Sequence, residues 1–206
     1  MTIAQSLVAF LIAAGLVTLT PGLDTALVLR ATAAEGRRSG AWAALGVVVG
    51  CLVWGAAVAF GLGALLVASG RLFAVVRWAG AAYLIWMGIG LVIWPRASLA
   101  PAAGPAPLGN PFRRGLFTNL LNPKAGVFYI SFLPQFVPNS VAFGPWCLLL
   151  AAVHGVLGLS WFSVLIVATH QVRGVLDRRG VVKALDRVTG AVFLGFGADL
   201  ALGRLR

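Results

Sequence analysis

The sequence predicts an all-α polytopic membrane protein with six transmembrane helices, arranged as a 3+3 inverted repeat with broken first and fourth helices. Three observations lead to this prediction. Of the 206 residues, 60% are hydrophobic and 10% are charged, whereas ordinary soluble domains have about 45–50% and about 25%. The apolar residues fall into long runs separated by short charged gaps. A proline stands among polar residues inside the first and the fourth of these runs.

Roughly 20 helical residues are needed to cross a hydrocarbon core of about 30 Å, and six apolar runs are near this length. The second and fifth runs exceed that length, so these helices must tilt or extend beyond the interface. The sixth run is short and carries Asp199. The predicted spans are residues 4–29, 41–68, 72–94, 115–137, 143–169 and 188–203.

The basic residues indicate which side of the membrane each gap faces. The formal net charge is +11, and the Lys and Arg residues concentrate in alternate gaps. They number three, three and five in the gaps 30–40, 95–114 and 170–187, but two, none and two in 69–78, 138–142 and the C-terminal residues. The positive-inside rule therefore places the first set in the cytoplasm and both termini outside. A nucleic-acid partner is not predicted, because no soluble basic face and no DNA-docking motif is present.

A proline-rich gap divides the chain into two halves of three spans each. Residues 95–111 hold five of the ten prolines, which predicts a Pro/Ala-rich cytoplasmic linker between a first repeat, 1–94, and a second, 112–206. Because three is an odd number, the second half enters the membrane opposite to the first, as in many secondary transporters. The run Ala-Gly-Ala-Ala-Tyr-Leu at 79–84 is answered by Thr-Gly-Ala-Val-Phe-Leu at 189–194, an offset of 110 residues.

The two prolines inside the first and fourth spans lie at the same predicted depth. Pro21 is nine residues before Arg30, and Pro123 is nine residues after Arg114. At about 1.5 Å per helical residue, both prolines are roughly 13 Å from a cytoplasmic anchor, near the middle of the bilayer. Proline removes a backbone N–H, so a carbonyl four residues earlier loses its helical partner. In hydrocarbon such breaks persist only against packed protein or a wet cavity.

Polar residues around the two breaks are the candidate substrate-binding or coupling residues. Half-helix N-termini suit a carboxylate and loose carbonyls suit an ammonium, so a zwitterionic amino acid matches both. We hypothesise that Asp24 holds a substrate ammonium or a coupling proton, that Lys124 holds a carboxylate, and that two asparagines supply neutral hydrogen bonds. The alternative is that Asp24 and Lys124 form a structural ion pair. The candidates are Thr20, Pro21, Gly22 and Asp24 in the first span and Asn119, Asn122, Pro123 and Lys124 in the fourth.

The remaining chemistry-bearing residues favour structural roles. Cys51 and Cys147 lie in apolar runs and behave as small hydrophobes rather than a disulfide framework. His154 and His170 have no Cys, Asp or Glu at ligand spacing, so neither a metal site nor a cofactor is predicted.

Glycines in the second span have the spacing of close helix contacts. Gly46, Gly50 and Gly55 are typical of small-residue packing between membrane helices. Such glycine-rich faces permit a homodimer without requiring one.

Two extended motifs resemble the LysE/RhtB amino-acid exporter family. One is Leu19-Thr20-Pro21-Gly22, then Asp24 and, after an apolar stretch, Gly36, Arg37, Arg38 and Gly40; the other runs from Phe112 through Asn119, Asn122, Pro123 and Lys124 to Phe136. With 79–84 and the region of Gly190, the resemblance covers nearly the whole chain. It implies a bacterial cytoplasmic (inner) membrane antiporter that exports amino acids or close derivatives, driven by the proton motive force. Leu23, where relatives often have proline, and Asp199, in a tail that is often apolar or basic, depart from the pattern.

Other functions were weighed against amino-acid export. Efflux of an inorganic cation is disfavoured because one buried Asp without an acidic or thiolate cluster is a poor divalent site; efflux of another small metabolite stays open. A structural or signalling membrane protein is favoured only if the broken helices are dry and fully packed. An intramembrane aspartyl protease would need Asp24 and Asp199 within a few Å of each other, and Gly197-Ala198-Asp199 lacks the Gly-Asp step of such enzymes. No enzyme is therefore predicted.

Overall fold

The computed structural model describes residues 1–62, 70–95, 109–169 and 178–202, which form helices and contain no strand. The core of the predicted linker, 96–108, the end of the second predicted span and His170 lie outside the described residues. The helices are α1 Ile3–Leu19, α2 Leu23–Glu35, α3 Arg37–Ala56, α4 Gly70–Ile93, α5 Pro111–Leu120, α6 Pro123–Val127, α7 Phe143–Val167 and α8 Arg179–Leu202. A π-helical turn, Ala57–Leu62, continues α3. A π-helical turn, Phe128–Phe132, and a 3-10 turn, Leu133–Phe136, continue α6.

The first predicted break is present between α1 and α2. The two helices meet at an angle of 52°. Pro21 cannot donate to the preceding turn, and Gly22 is extended and serves as the N-cap of α2 without a side-chain capping bond. The N-terminal end of α2 is therefore left without a capping side chain in the middle of the chain's first apolar run.

The second predicted break is present between α5 and α6. Here the proline begins a helix, because Pro123 occupies the first turn of α6, where a missing N–H is tolerated. Asn122 caps that turn, since its Oδ1 accepts a hydrogen bond of 3.0 Å from the backbone N–H of Lys124. The fourth apolar run consequently folds as a series of short helical pieces.

Glycines bring α3 into backbone contact with α5 and α7. A Cβ built on Gly46 would lie 2.0 Å from a carbonyl oxygen of α5, and one on Gly115 would lie 2.0 Å from a carbonyl oxygen of α3. Gly50 faces Asn119 in the same interface, and Gly55 faces α7 at a distance that no Cβ could occupy. The packing role predicted for the glycines of the second span is confirmed.

Helices α4 and α8 form an antiparallel pair that is also in close contact at glycines. A Cβ on Gly88 would lie 2.8 Å from the carbonyl oxygen of Gly190, and one on Gly197 would lie 3.1 Å from that of Ala81. Helix α8 starts at Arg179, nine residues before the predicted sixth span, which is a correction to the sequence analysis. The reason is tertiary: Val182 is fully buried in a core cluster, so packing extends the helix into the basic gap.

Two apolar clusters form the core on either side of the breaks. One is built on Phe10, Phe128 and Leu133. The other is built on Val28 and Leu165. The layer that contains the two breaks lies between them, so the polar residues there are enclosed by packed side chains on both sides.

Two described helices, Arg37–Gly61 and Phe143–Val167, are long and apolar enough to cross a membrane, and the bent pair α1 and α2 adds a third if taken as one span. Large apolar side chains are exposed on the outer surface, as lipid contact requires: Ile12, Phe60, Trp86, Val156 and Val167. Within the described residues, α4 offers a shorter apolar helix, Arg77–Ile93, the fourth run is divided, and α8 carries several charges. The structure is thus that of an all-helical membrane protein, and the six-span 3+3 arrangement remains a prediction.

Candidate functional site

A cavity of about 60 Å³ lies where the two breaks meet, which is room enough for water. Six of the eight predicted site residues line it: Thr20, Gly22, Asp24, Asn119, Asn122 and Lys124. Pro21 and Pro123 create the breaks but do not line the cavity. The structure therefore brings together side chains about 100 positions apart in the sequence, as the equal predicted depth of the two prolines implied.

Lys124 satisfies the carbonyls that end α1. Its Nζ donates to the carbonyl oxygen of Val17 at 2.8 Å and to that of Thr20 at 2.9 Å. The Val17 carbonyl is the group that Pro21 deprives of a helical partner. A cation at the C-terminal end of a helix is also favoured by the helix dipole. The side chain that the sequence analysis expected to hold a substrate carboxylate thus joins the second break directly to the first.

The Asn119 carbonyl, which Pro123 leaves without a helical partner, is satisfied in two ways. It accepts a backbone bond of 3.0 Å from Asn122 and a bond of 3.4 Å from the indole Nε1 of Trp54. Both freed carbonyls consequently have donors, and in each case one donor comes from a distant segment of the chain. This agrees with the requirement that backbone groups within a bilayer be satisfied inside the protein.

The Asn119 side chain is 1% exposed and connects α5 to the first break and to α3. Its Nδ2 donates to Asp24 Oδ2 at 3.0 Å and lies 3.6 Å from Cys51 Sγ. The neighbouring Gly50 provides the space, because a Cβ there would lie 2.6 Å from Asn119 Oδ1. The glycine contact of α3 with α5 thus also positions a polar side chain of the site.

Three buried oxygens of the site lack a hydrogen-bond partner among the described residues: Thr18 Oγ1, Asp24 Oδ1 and Asn119 Oδ1. All three residues line the cavity. Buried acceptors are normally paired, so a cavity with three unpaired acceptors suits a ligand that carries several N–H donors.

Helix α8 also reaches the first break. Thr189 Oγ1 lies 3.0 Å from Thr20 Oγ1, and Thr189 is 3% exposed. Asp199, near the end of the same helix, does not line the cavity. Asp24 and Asp199 therefore do not form a carboxylate pair at this cavity.

Four residues of the cavity wall with polar or ionisable side chains were not among the sequence candidates: Thr18, Thr25, Cys51 and His154. The Nδ1 atom of His154 is 2.8 Å from the hydroxyl of Tyr129. An ionisable side chain inside a long apolar run is itself a signal for a functional position, and His154 carried that signal. The predicted absence of a metal ligand set rested on spacing; in the described residues no three side chains of His, Cys, Asp and Glu are placed so that they could hold a metal ion.

Helices broken at one level, with a partly polar cavity between them, are characteristic of membrane transport proteins. Residues 15–204 match the family model described as LysE type translocator. The chain belongs to this family of transporters, which are not enzymes, and the resemblance drawn from the sequence motifs is confirmed.

Curated relatives match over nearly their whole length. The chain is 34% identical to a leucine efflux protein of Enterobacter sp. (strain 638), over 93% of each chain. It is 31% identical to a leucine efflux protein of Salmonella typhimurium, over 93% of this chain and 92% of the relative. It is 27% identical to the uncharacterized membrane protein YrhP of Bacillus subtilis, over 96% and 99%. No solved structure matches the chain.

Proposed function

We propose that the protein exports amino acids or close derivatives from the cytoplasm across the bacterial inner membrane, coupled to the proton motive force. The observation that carries the proposal is the cavity between the two breaks, with Asp24 and Lys124 both on its wall. Family membership and the printed names of the leucine efflux relatives support the same substrate class.

The two ends of a zwitterion match different parts of this wall. The unpaired oxygens of Asp24 and Asn119 would accept N–H bonds from the substrate ammonium. Lys124 would hold the carboxylate, since Asp24 already places an acidic side chain in the first turn of α2. Asn122 would contribute a neutral hydrogen bond. Binding would then redirect the Lys124 ammonium from the α1 carbonyls toward the substrate.

Alternating access would follow from movement of one half, 1–94, against the other, 112–206, joined by the linker 95–111. The bonds from Lys124 to α1 and from Asn119 to Asp24 connect the two halves, so they must rearrange in each cycle. A proton exchanged at Asp24 would couple that movement to the proton gradient. Both termini would face outward, in accordance with the charge distribution.

The inverted-repeat arrangement is supported by the register of α4 and α8. The offset of 110 residues, taken from the sequence repeat, maps α4 onto 180–203, one residue from the observed bounds of α8, Arg179–Leu202. The contacts of Gly88 with Gly190 and of Ala81 with Gly197 lie on either side of Leu84 and Leu194, which are themselves 110 positions apart. Repeat-related helices that cross at equivalent residues are expected of a two-fold axis in the membrane plane.

The test is export from cells loaded with many amino acids through dipeptides, measured in the medium by quantitative mass spectrometry. Wild type, Asp24→Asn, Asp199→Asn and empty vector are compared at equal membrane abundance. Accumulation of one or a few amino acids with wild type and Asp199→Asn, but not with Asp24→Asn, would support the proposal. Four coincident profiles would contradict amino-acid export, and inorganic cations and other metabolites would be measured next.

A double replacement separates function from a structural ion pair. If Asp24 and Lys124 serve only each other, the variant Asp24→Leu with Lys124→Met removes both charges together and leaves export intact. We expect that this variant reaches the membrane and fails to export, because neither end of the zwitterion is recognised. Export at the wild-type rate would overturn the assignment of both residues.

A further inference from the structure

We propose that the apolar wall of the cavity, between α3 and α7, receives the substrate side chain and that Gly158 sets the size of this subsite. The substrates would then be amino acids with an aliphatic side chain. This inference rests on the proposed function and adds to it the site that distinguishes one amino acid from another.

The cavity wall is divided into a polar and an apolar part. The polar groups at the two breaks would bind the ammonium and the carboxylate, which are common to all α-amino acids. They cannot distinguish leucine from alanine. The apolar part includes Val47, Val48, Phe128, Gly155, Gly158 and Phe162, and Cys51 of α3 and His154 of α7 line the cavity beside them. A zwitterion anchored at the breaks would direct its side chain against these residues, where apolar contact rewards a fitting aliphatic group.

Independent evidence that this cavity accepts a ligand comes from its polar side. Asn119 is 1% exposed and lines the cavity, yet its Oδ1 has no hydrogen-bond partner among the described residues. Asp24 Oδ1 is unpaired in the same way. Unpaired buried acceptors are unfavourable, and a bound ammonium would pair them.

The two glycines occupy neighbouring turns of the same face of α7. A Cβ on Gly158 would have one neighbour within 4 Å, Phe162 Cε2 at 3.9 Å, so an alanine fits there without displacing anything. A Cβ on Gly155 would lie 3.2 Å from Val48 Cγ1, so this position is closed by α3. The free space in front of α7 is therefore at Gly158, and a methyl group there would project into the subsite.

The first test is Gly158→Ala, with Gly144→Ala as the matched control. Gly144 is on the same helix, does not line the cavity, and would place its Cβ 3.5 Å from one backbone oxygen, an ordinary contact. Cells are loaded with dipeptides that release leucine and alanine, and the ratio of the two in the medium is measured. Since one methylene in an apolar pocket changes discrimination by about 10-fold or more, Gly158→Ala should lower the leucine-to-alanine ratio about 10-fold. Gly144→Ala should leave it unchanged.

The second test enlarges the subsite, whereas the first makes it smaller. Val48→Ala removes two methyl groups from the facing helix, so export of phenylalanine should rise relative to leucine. This variant also decides the matter if Gly158→Ala fails to reach the membrane.

The outcomes separate this inference from the proposed function. Leucine, alanine and phenylalanine ratios that stay at wild-type values in both variants, while export continues, would overturn the side-chain subsite alone. Wild-type export confined to charged amino acids would overturn the aliphatic assignment. No export of any amino acid by the wild type would overturn the proposed function, and this inference with it.

Discussion

Replacing Lys124 by methionine tests whether its ammonium stabilises the break between α1 and α2 by satisfying the backbone carbonyls there. The substitution keeps the length of the side chain and removes the bonds to the carbonyls of Val17 and Thr20. A buried carbonyl left without a donor costs about 1–3 kcal/mol, offset in part because an ammonium no longer has to be desolvated. We expect the free energy of unfolding to fall by about 2 kcal/mol. For a chain of this size the Tm should fall by about 4–8 °C.

The assay is thermal unfolding of the purified protein in detergent, with Lys183→Met as control. Lys183 is exposed on α8, so its replacement should leave the Tm within about 1 °C of wild type. A Lys124→Met protein that melts at the wild-type temperature would refute the reasoning. A double-mutant cycle sharpens the test: Pro21→Ala supplies an N–H for the Val17 carbonyl. In that background the loss caused by Lys124→Met should be smaller by about 1 kcal/mol.

Three further predictions concern proton coupling at Asp24, the ion pair of Arg114 with Glu35, and the contact of α3 with α5. Asp24→Asn keeps the oxygen that accepts from Asn119 but cannot exchange a proton, so proteoliposomes should retain leucine counterflow and lose uphill transport; uphill transport at the wild-type rate would contradict coupling at Asp24. Arg114 Nη2 lies 2.6 and 2.7 Å from the two carboxylate oxygens of Glu35, with both side chains largely buried. Glu35→Gln should therefore lower the free energy of unfolding by about 2 kcal/mol. The double variant Glu35→Arg with Arg114→Glu should recover most of that free energy in the same melting assay. Gly46→Ala should destabilise the contact of α3 with α5 by about 3 kcal/mol and reduce membrane abundance, whereas Gly61→Ala, with no atom within 4 Å of its Cβ, should not; equal abundance of the two variants on immunoblots would contradict the close packing.

The parts of the site that could be predicted from the sequence are those produced by residues close together in the chain. Pro21 and Pro123 interrupt a helix by their own covalent structure, wherever the chain places them. The polar residues near each proline therefore marked the two breaks, and the distance to the nearest basic anchor gave their common depth. Six of the eight candidates line one cavity for this reason.

Most residues that join the site through another helix left no such local mark. Trp54 donates to the Asn119 carbonyl, and Cys51 and His154 lie on the cavity wall, because α3 and α7 pack against the broken helices. Within their own segments Trp54 and Cys51 are ordinary members of apolar runs, and His154 alone of the three stood out as an ionisable side chain. The partners of Lys124 were likewise beyond prediction, since the sequence named the freed Val17 carbonyl but not its donor.

The sequence by itself determined the class of protein, because apolar run length, charge distribution and proline chemistry act within short segments. It specified a helical membrane protein, both helix breaks and the glycines that allow close packing. Only the tertiary structure decided where α8 begins and which wall of the cavity is apolar. It also decided that Lys124 donates to the carbonyls at the break between α1 and α2. These features depend on contacts between residues more than 100 positions apart, and such contacts are set by how the helices pack together.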